Sequence, residues 1–247
     1  MTLEKFFSEN NRLALGFSGG VDSSYLLYAA LTHGADIRPY FIKTAFQPQF
    51  ELLDALRLTE QFGISLTVVD FDILSVPSVS ANCAERCYHC KLTLFGALKE
   101  RAFADGYSVL IDGTNASDDA LERPGMRALR EMSVRSPLRE CALTKDMIRQ
   151  LSKDAGLFTW DKPAYSCLAT RIPCGTAYTP ELLTRVEGAE AVLFALGFSD
   201  FRVRVFHDAA RIQMPSGQMQ RAIDMKNEIK NGIAPFFSDV LLDLKGR

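Results

Sequence analysis

Seven residues, Ser18-Gly19-Gly20-Val21-Asp22-Ser23-Ser24, restrict this chain more than any other segment. They follow the apolar run of residues 13–17 and precede a helical pattern of Tyr25, Leu26, Leu27, Ala30 and Leu31. A buried strand that enters a glycine turn and then a helix start aims several backbone N–H groups at one point, and such a point attracts phosphate. Glycine tolerates positive φ and lets a ligand approach the backbone closely. Ser23 and Ser24 are expected to cap the helix and offer hydroxyls, while Asp22 suits an anion only if a metal ion accompanies it. The string therefore fits a magnesium-bound pyrophosphate better than a plain strand-to-helix turn.

The segment is neither a Walker loop, since GxxxxGK[ST] is absent, nor a dinucleotide fingerprint, since GxGxxG is absent. It resembles the PP-loop of ATP pyrophosphatases. That resemblance implies cleavage of ATP between the α and β phosphates, with AMP left on the substrate.

Strands are expected at residues 13–17, 37–42, 66–70 and 109–112, separated by helices at 23–33, 49–62 and 91–104. This alternation indicates an α/β fold with a doubly covered parallel sheet, whose ligands bind beyond the carboxyl ends of the strands. Ser18 and Asp112 both fall there. Residues 112–140 read as polar and mostly irregular, and a helix is expected at 145–155 with Thr144 as its cap. A helix at 180–196, strands at 201–206 and 211–214, a helix at 217–229 and a strand at 240–244 suggest a small α+β ending without βαβ units. The expected domains are residues 1–174 and 175–247.

The 247 residues are 47% hydrophobic and 23% charged, enough for one full core or a larger and a smaller one. With a net charge of -2, nucleic-acid binding would need a local basic patch, and none is apparent, so no nucleic-acid partner is expected. No apolar stretch approaches the roughly 20 residues that span a bilayer, and MTLEKFFSENNR lacks the apolar core of a signal peptide. A cytoplasmic protein with no membrane partner is expected, and its six cysteines are expected to be thiols, metal ligands or reactive groups.

Cys87 and Cys90 form a CxxC that opens a helical segment, and the helix N-terminal position with the neighbouring Arg86 and Lys91 favours thiolate. Half a zinc site completed by Cys83 and His89, a redox pair, iron–sulfur ligands and two plain thiols are all compatible with that spacing. Cys167 and Cys174 lie in a loop before the second domain, with Arg171 between them.

SGGVDSS, RCYHCK, DGTNASDD with ERPGMRALRE, CLATRIP and FRVRVFHDAARIQMP occur in this order over nearly the whole chain. Together they resemble the LarE family of ATP-dependent sulfur transferases. The resemblance implies that a carboxylate of a pyridinium dicarboxylate mononucleotide is adenylylated, with release of pyrophosphate, and that sulfur then displaces AMP. Some members sacrifice the cysteine matching Cys167, whereas others use three cysteines to hold a [4Fe–4S] cluster that carries an extra sulfide. The CxxC favours the cluster type, with Cys87, Cys90 and Cys167 as ligands, Cys174 as the rival third ligand, Cys83 as a weaker one, and a sulfide donor as a possible partner. Under the alternative, Cys167 is the sacrificed donor.

The same resemblance places ATP and Mg²⁺ on Ser18, Gly19, Gly20, Asp22, Ser23 and Ser24 and on Asp112, Gly113 and Thr114. Arg123 and Arg135 match positions for substrate or pyrophosphate, and Glu131 is placed to orient an arginine of that stretch. Arg202 and Arg204, two apart on one strand, share a face and suit a phosphate clamp, with Glu190 to fix an arginine. Asp208 and Arg211 are expected to pair, and His207 to occupy a turn. The stretch 242–246 resembles a family strand that continues into an arginine-containing tail, and here Arg247 follows it. A homo-oligomer is the family expectation; an ammonia-dependent ligase or a tRNA sulfurtransferase is the closest rival on the same loop.

Overall fold

The structure, a computed structural model, describes residues 1–118 and 124–247. The chain divides into two compact units, Met1–Val79 with Ala84–Lys162, and Ser80–Cys83 with Pro163–Arg247. The expected boundary at residues 174 and 175 thus moves upstream, to between Lys162 and Pro163. Hydrogen bonds explain the shift, because Arg171 Nε donates to Glu190 Oε1 (2.7 Å), Arg202 Nη2 to Ala164 O and Arg204 Nη1 to Thr170 O, while Asn82 Nδ2 ties Ser80–Cys83 in through the carbonyls of Pro173 (2.8 Å) and Thr176 (3.0 Å).

The first unit contains α1 (Leu3–Glu9), β1 (Arg12–Gly16), α2 (Val21–Thr32), β2 (Asp36–Lys43), α3 (Gln49–Gln61) and β3 (Thr67–Asp70). The short α4 (Pro77–Ser80) leads to α5 (Arg86–Ala104), β4 (Val109–Ile111), α6 (Pro124–Glu131), α7 (Pro137–Glu140) and α8 (Lys145–Asp154). The four strands are parallel in the order β3-β2-β1-β4. Along β1, Leu13 and Leu15 pack with Phe6, Leu26, Leu27, Leu58 and Ile148, whereas Ala14 packs with Tyr40, Leu98, Leu110 and Leu129. The sheet is therefore covered on both faces, which is why Leu13, Ala14 and Leu15 of β1 are apolar in succession rather than in alternation. Each fully buried leucine contributes about 1.5–3 kcal/mol.

Strand order reverses at β1, whose neighbours are β2 on one side and β4 on the other. The crevice beyond the carboxyl ends of β1 and β4 is the switch point at which such sheets bind ligands. Residues 17–20 and 112–115 leave the sheet at this point.

Two local expectations change. Helix α5 begins at Arg86 rather than residue 91, and so includes both Cys87 and Cys90. The stretch expected to be mostly irregular contains α6 and α7; the five charged residues between positions 122 and 131 masked the short apolar seam that buries Ala128 and Leu129. Thr144 does cap α8, accepting from Met147 N at 3.4 Å.

The second unit contains α9 (Pro180–Ala195), β5 (Arg202–Phe206), β6 (Ala209–Gln213), α10 (Ser216–Asp224), α11 (Lys226–Ile233) and β7 (Asp239–Leu242). Its sheet runs β5-β6-β7, with β5 and β6 antiparallel and β6 and β7 parallel. The expected absence of βαβ units is thus corrected, since α10 and α11 form the crossover from β6 to β7. A single helix over residues 217–229 is also replaced by two, which meet at Met225. Among the described residues no helix is long and apolar enough to cross a membrane.

Candidate active site

The turn after β1 is built around Gly19, which sits at φ +67° with its Cα facing the backbone of α3. A Cβ there would come within 3.1 Å of Ala55 N, so space and backbone conformation both exclude other residues. Gly20 is the N-cap of α2, and no side chain caps this helix, which leaves its first-turn N–H groups for a ligand. Ser23 stabilises the turn from inside: its Oγ donates to Gly20 O at 3.2 Å and lies 3.2 Å from Ser18 Oγ.

A second loop closes against this one. A Cβ on Gly113 would meet Ser23 N at 3.0 Å and Ser23 Cα at 3.2 Å, so glycine lets β4 deliver its loop onto the first turn of α2 without displacing that backbone. Asp112 is buried and accepts from Ser136 Oγ (2.7 Å), Thr114 Oγ1 (2.6 Å) and Thr114 N (3.2 Å). Its carboxylate shapes the loop. Asn115 Nδ2 then donates to Asp22 Oδ1 at 3.3 Å, and Lys145 Nζ lies 2.6 Å from Asp22 Oδ2. On the other side Lys162 Nζ lies 2.6 Å from Asp54 Oδ2 and 3.4 Å from Gly19 O. Asp22 is a hard oxygen donor with a partly exposed carboxylate, the type of ligand magnesium takes.

Cys87 and Cys90 lie one turn apart at the start of α5, and Arg86 Nη2 is 3.1 Å from Cys87 Sγ. All six cysteines are outside disulfides, and burial pushes the Cys141 thiol up, away from reactivity. Among the described residues no three His, Cys, Asp or Glu side chains are gathered as a metal ion would require. Cys83, Cys87, His89 and Cys90, one of the readings open to the spacing, are thus not gathered around a common point; the two CxxC thiols are donors of the type an iron–sulfur cluster takes.

In the second unit, Cys167 precedes a 3₁₀ turn, Leu168–Arg171. Arg171 is buried and holds that turn from beneath, donating through Nη1 to Ser166 O (3.0 Å), Ser166 Oγ (2.8 Å) and Thr170 Oγ1 (2.7 Å). Its Nε lies 2.7 Å from Glu190 Oε1. Glu190, also buried, accepts in addition from Tyr165 and from Val203 N. Arg202 and Arg204 stand beside this pair on one face of β5, with Arg211 opposite Arg204 on β6. Burial, and then the neighbouring Arg171, pushes Arg202 down to about 10 and lowers Arg204 as well. Arg211 Nε is buried without a hydrogen-bond partner among the described residues. The cluster is rich in cations, as an anion site would be.

The chain is 30% identical to the pyridinium-3,5-bisthiocarboxylic acid mononucleotide synthase of Lactiplantibacillus plantarum over 248 residues, 99% of this chain and 90% of that protein. The chain belongs to the LarE family. It is also 38% identical to an uncharacterised protein of Synechocystis sp., covering 99% of this chain and 92% of that one. A third relative, an uncharacterised protein of Methanocaldococcus jannaschii, is 30% identical over 92% of this chain and 85% of its own length. No family model matches the chain.

Within this LarE-family chain the structure brings Ser18, Gly19, Gly20, Asp22, Ser23, Asp112, Gly113 and Thr114 to one crevice. Ser23 and Ser24 do not cap the helix, because α2 starts two residues earlier, at Val21. Ser24 is fully buried within α2, so its hydroxyl does not line the turn. Arg135 is committed to Glu140 and stacks over the Phe6 ring at 4.9 Å, which directs it to α7 and α1 rather than to a ligand. Arg123 lies outside the described residues. Glu131 accepts from Tyr88 OH at 2.6 Å and lies 3.9 Å from Arg127. Asp208 pairs with Arg185 at 2.7 Å, not with Arg211, which faces Asp243 at 3.8 Å. His207 takes the turn position, at φ +54°. Asn115, Lys145, Lys162 and Arg171 complete their sites without having been assigned those places from sequence. Only their partners across 19 to 143 residues of chain give them away.

Proposed function

We propose that this LarE-family chain is an ATP-dependent sulfur transferase that turns a carboxylate of a pyridinium dicarboxylate mononucleotide into a thiocarboxylate, a precursor of the nickel-pincer nucleotide cofactor. The observation that carries the reading is the similarity, over 99% of the chain, to a relative named as the bisthiocarboxylic acid mononucleotide synthase. The glycine turn at the strand-order switch supports it, with the fold read as a PP-loop pyrophosphatase sheet followed by a small α+β domain.

A carboxylate is a poor acyl donor because oxide would have to leave. Adenylylation makes AMP the leaving group. Ser18, the Gly19 and Gly20 backbone and the open N–H groups of α2 hold the phosphates, as donors aimed at the charge that develops on pyrophosphate. Asp112, Gly113 and Thr114 form the second wall of the nucleotide site. Asp22 would hold magnesium, which supplies Lewis-acid charge neutralisation. Arg202 and Arg204 bind the substrate's phosphate, with Arg211 adding a further positive charge opposite Arg204. Glu190 keeps the cluster together through Arg171.

Sulfur would come from a [4Fe–4S] cluster held by Cys87, Cys90 and Cys167, with Cys174 as the rival third ligand; such a cluster supplies a bound sulfide. A second reading makes Cys167 itself the sulfur donor, favoured by the Arg171-held turn on which that cysteine is displayed. Anaerobic purification with iron and sulfide analysis separates the two. Iron-free protein that completes one turnover and loses sulfur at Cys167 refutes the cluster. Mononucleotide-dependent pyrophosphate release tests the activity as a whole, and its absence refutes the function.

A further inference from the structure

The carboxylate assigned to magnesium is already engaged by a cation of the chain itself. Lys145 Nζ lies 2.6 Å from Asp22 Oδ2, while Asn115 Nδ2 occupies the other oxygen at 3.3 Å. Lys145 is the first residue of α8, where the helix dipole disfavours a positive charge, so the pairing with Asp22 offsets an otherwise poor position. Its backbone N–H donates to Ser117 Oγ at 2.9 Å, and Ala116 N donates to Leu143 O at 2.8 Å. The start of α8 and the loop of residues 112–118 are thus tied together beside the glycine turn. Lys162 repeats the arrangement on the opposite side through Asp54 and Gly19 O. Each of these two carboxylates is thus matched by an ammonium group.

A divalent ion and an ammonium group held on the same Asp22 carboxylate repel each other, so each weakens the other's hold on it. We propose that Lys145 is a displaceable counter-ion: the divalent ion that arrives with ATP replaces it on Asp22, and the released ammonium, still tethered to the loop, turns to the phosphates. Lys145 is in this sense a positioning residue. It keeps the empty carboxylate from taking up metal without nucleotide, and it couples metal binding to ATP binding. The inference rests on the reading that ATP and a divalent ion bind at the Ser18–Ser23 turn.

Mn²⁺ titration followed by electron paramagnetic resonance, with and without ATP, tests it in the full-length protein. The wild type should bind Mn²⁺ weakly alone and tightly with ATP. Lys145→Met should bind nucleotide-free Mn²⁺ about tenfold more tightly, so that ATP adds less, while pyrophosphate formation slows about tenfold. Lys145→Arg, which keeps a cation, should behave as the wild type in the nucleotide-free titration. Unchanged or weaker nucleotide-free Mn²⁺ binding by Lys145→Met overturns the proposal, as does equal tightening in Lys145→Arg. Lys145→Gln serves the same comparison if Lys145→Met does not fold. Asp22→Asn separates the two levels: if it leaves ATP-dependent Mn²⁺ binding intact, the reading of the turn fails, whereas loss there with an unresponsive Lys145→Met sinks the counter-ion alone.

Discussion

Glu190→Gln probes the part of the second unit on which the substrate cluster depends. Both charged ends of the Arg171–Glu190 pair are sealed from water, with 0% and 2% of the side chains exposed. Gln keeps the shape and an acceptor for Val203 N, but leaves the Arg171 guanidinium without its counter-charge among Arg202 and Arg204. Burial and Arg171 already push Arg202 down to about 10, so the cluster has little capacity for a further uncompensated charge. Breaking one side of a buried pair costs about 3–5 kcal/mol. At roughly 2–4 °C per kcal/mol for a chain of this size, the melting midpoint should fall by about 6–20 °C. Calorimetry and urea unfolding measure the loss. Arg171→Met in the Glu190→Gln background should recover most of it, because the orphaned charge is then gone. A loss below about 1 kcal/mol in Glu190→Gln, or simple addition of the two single losses in the double variant, would refute the argument.

Three further outcomes follow from the geometry. Gly113→Ala should raise the KM for ATP and cost about 1–3 kcal/mol of stability, because its Cβ would press on Ser23 N at 3.0 Å; an unaltered KM would show that the two loops do not share the nucleotide. Tyr40 is pushed up to about 12 by burial and by donating to Asp105 at 3.0 Å. Its stabilising contribution is whole below its ordinary value of 10.0 and is lost as pH rises through about 12, so Tyr40→Phe should flatten the alkaline limb of a stability–pH profile. An identical slope in that variant would contradict this. Cys87→Ser and Cys90→Ser should each lower the iron content of anaerobically purified protein; full iron in either would remove that cysteine from the ligand set.

The strand, glycine turn and helix of residues 12–32 were legible in the sequence because their signals are local: an apolar run, two glycines and a 3.6-residue pattern within about twenty positions. The CxxC was visible for the same reason, although α5 starts earlier than its apolar residues suggested. Lys145 and Lys162 carry no local mark, and the fold alone brings them to Asp22 and Asp54; Asn115 lies within DGTNASDD, but its bond to Asp22 follows from β4 lying beside β1. Arg202 and Arg204 could be placed on one face from their spacing alone. That Glu190 serves Arg171 instead depends on how α9 packs beside β5 and the 3₁₀ turn, which no residue pattern encodes. Arg135 shows the converse: a position suggestive in sequence is claimed in the fold by Glu140 and Phe6.

In the proposed reaction one carboxylate oxygen is exchanged for sulfur as ATP is cleaved to AMP and pyrophosphate. Mass spectrometry of the mononucleotide after anaerobic incubation with ATP, Mg²⁺ and sulfide, with AMP and pyrophosphate counted in the same sample, tests it most directly. Equal amounts of thiocarboxylate, AMP and pyrophosphate are expected, and none of the three with Asp22→Asn. Formation of an amide in place of the thiocarboxylate, or of ADP in place of AMP, would contradict the account.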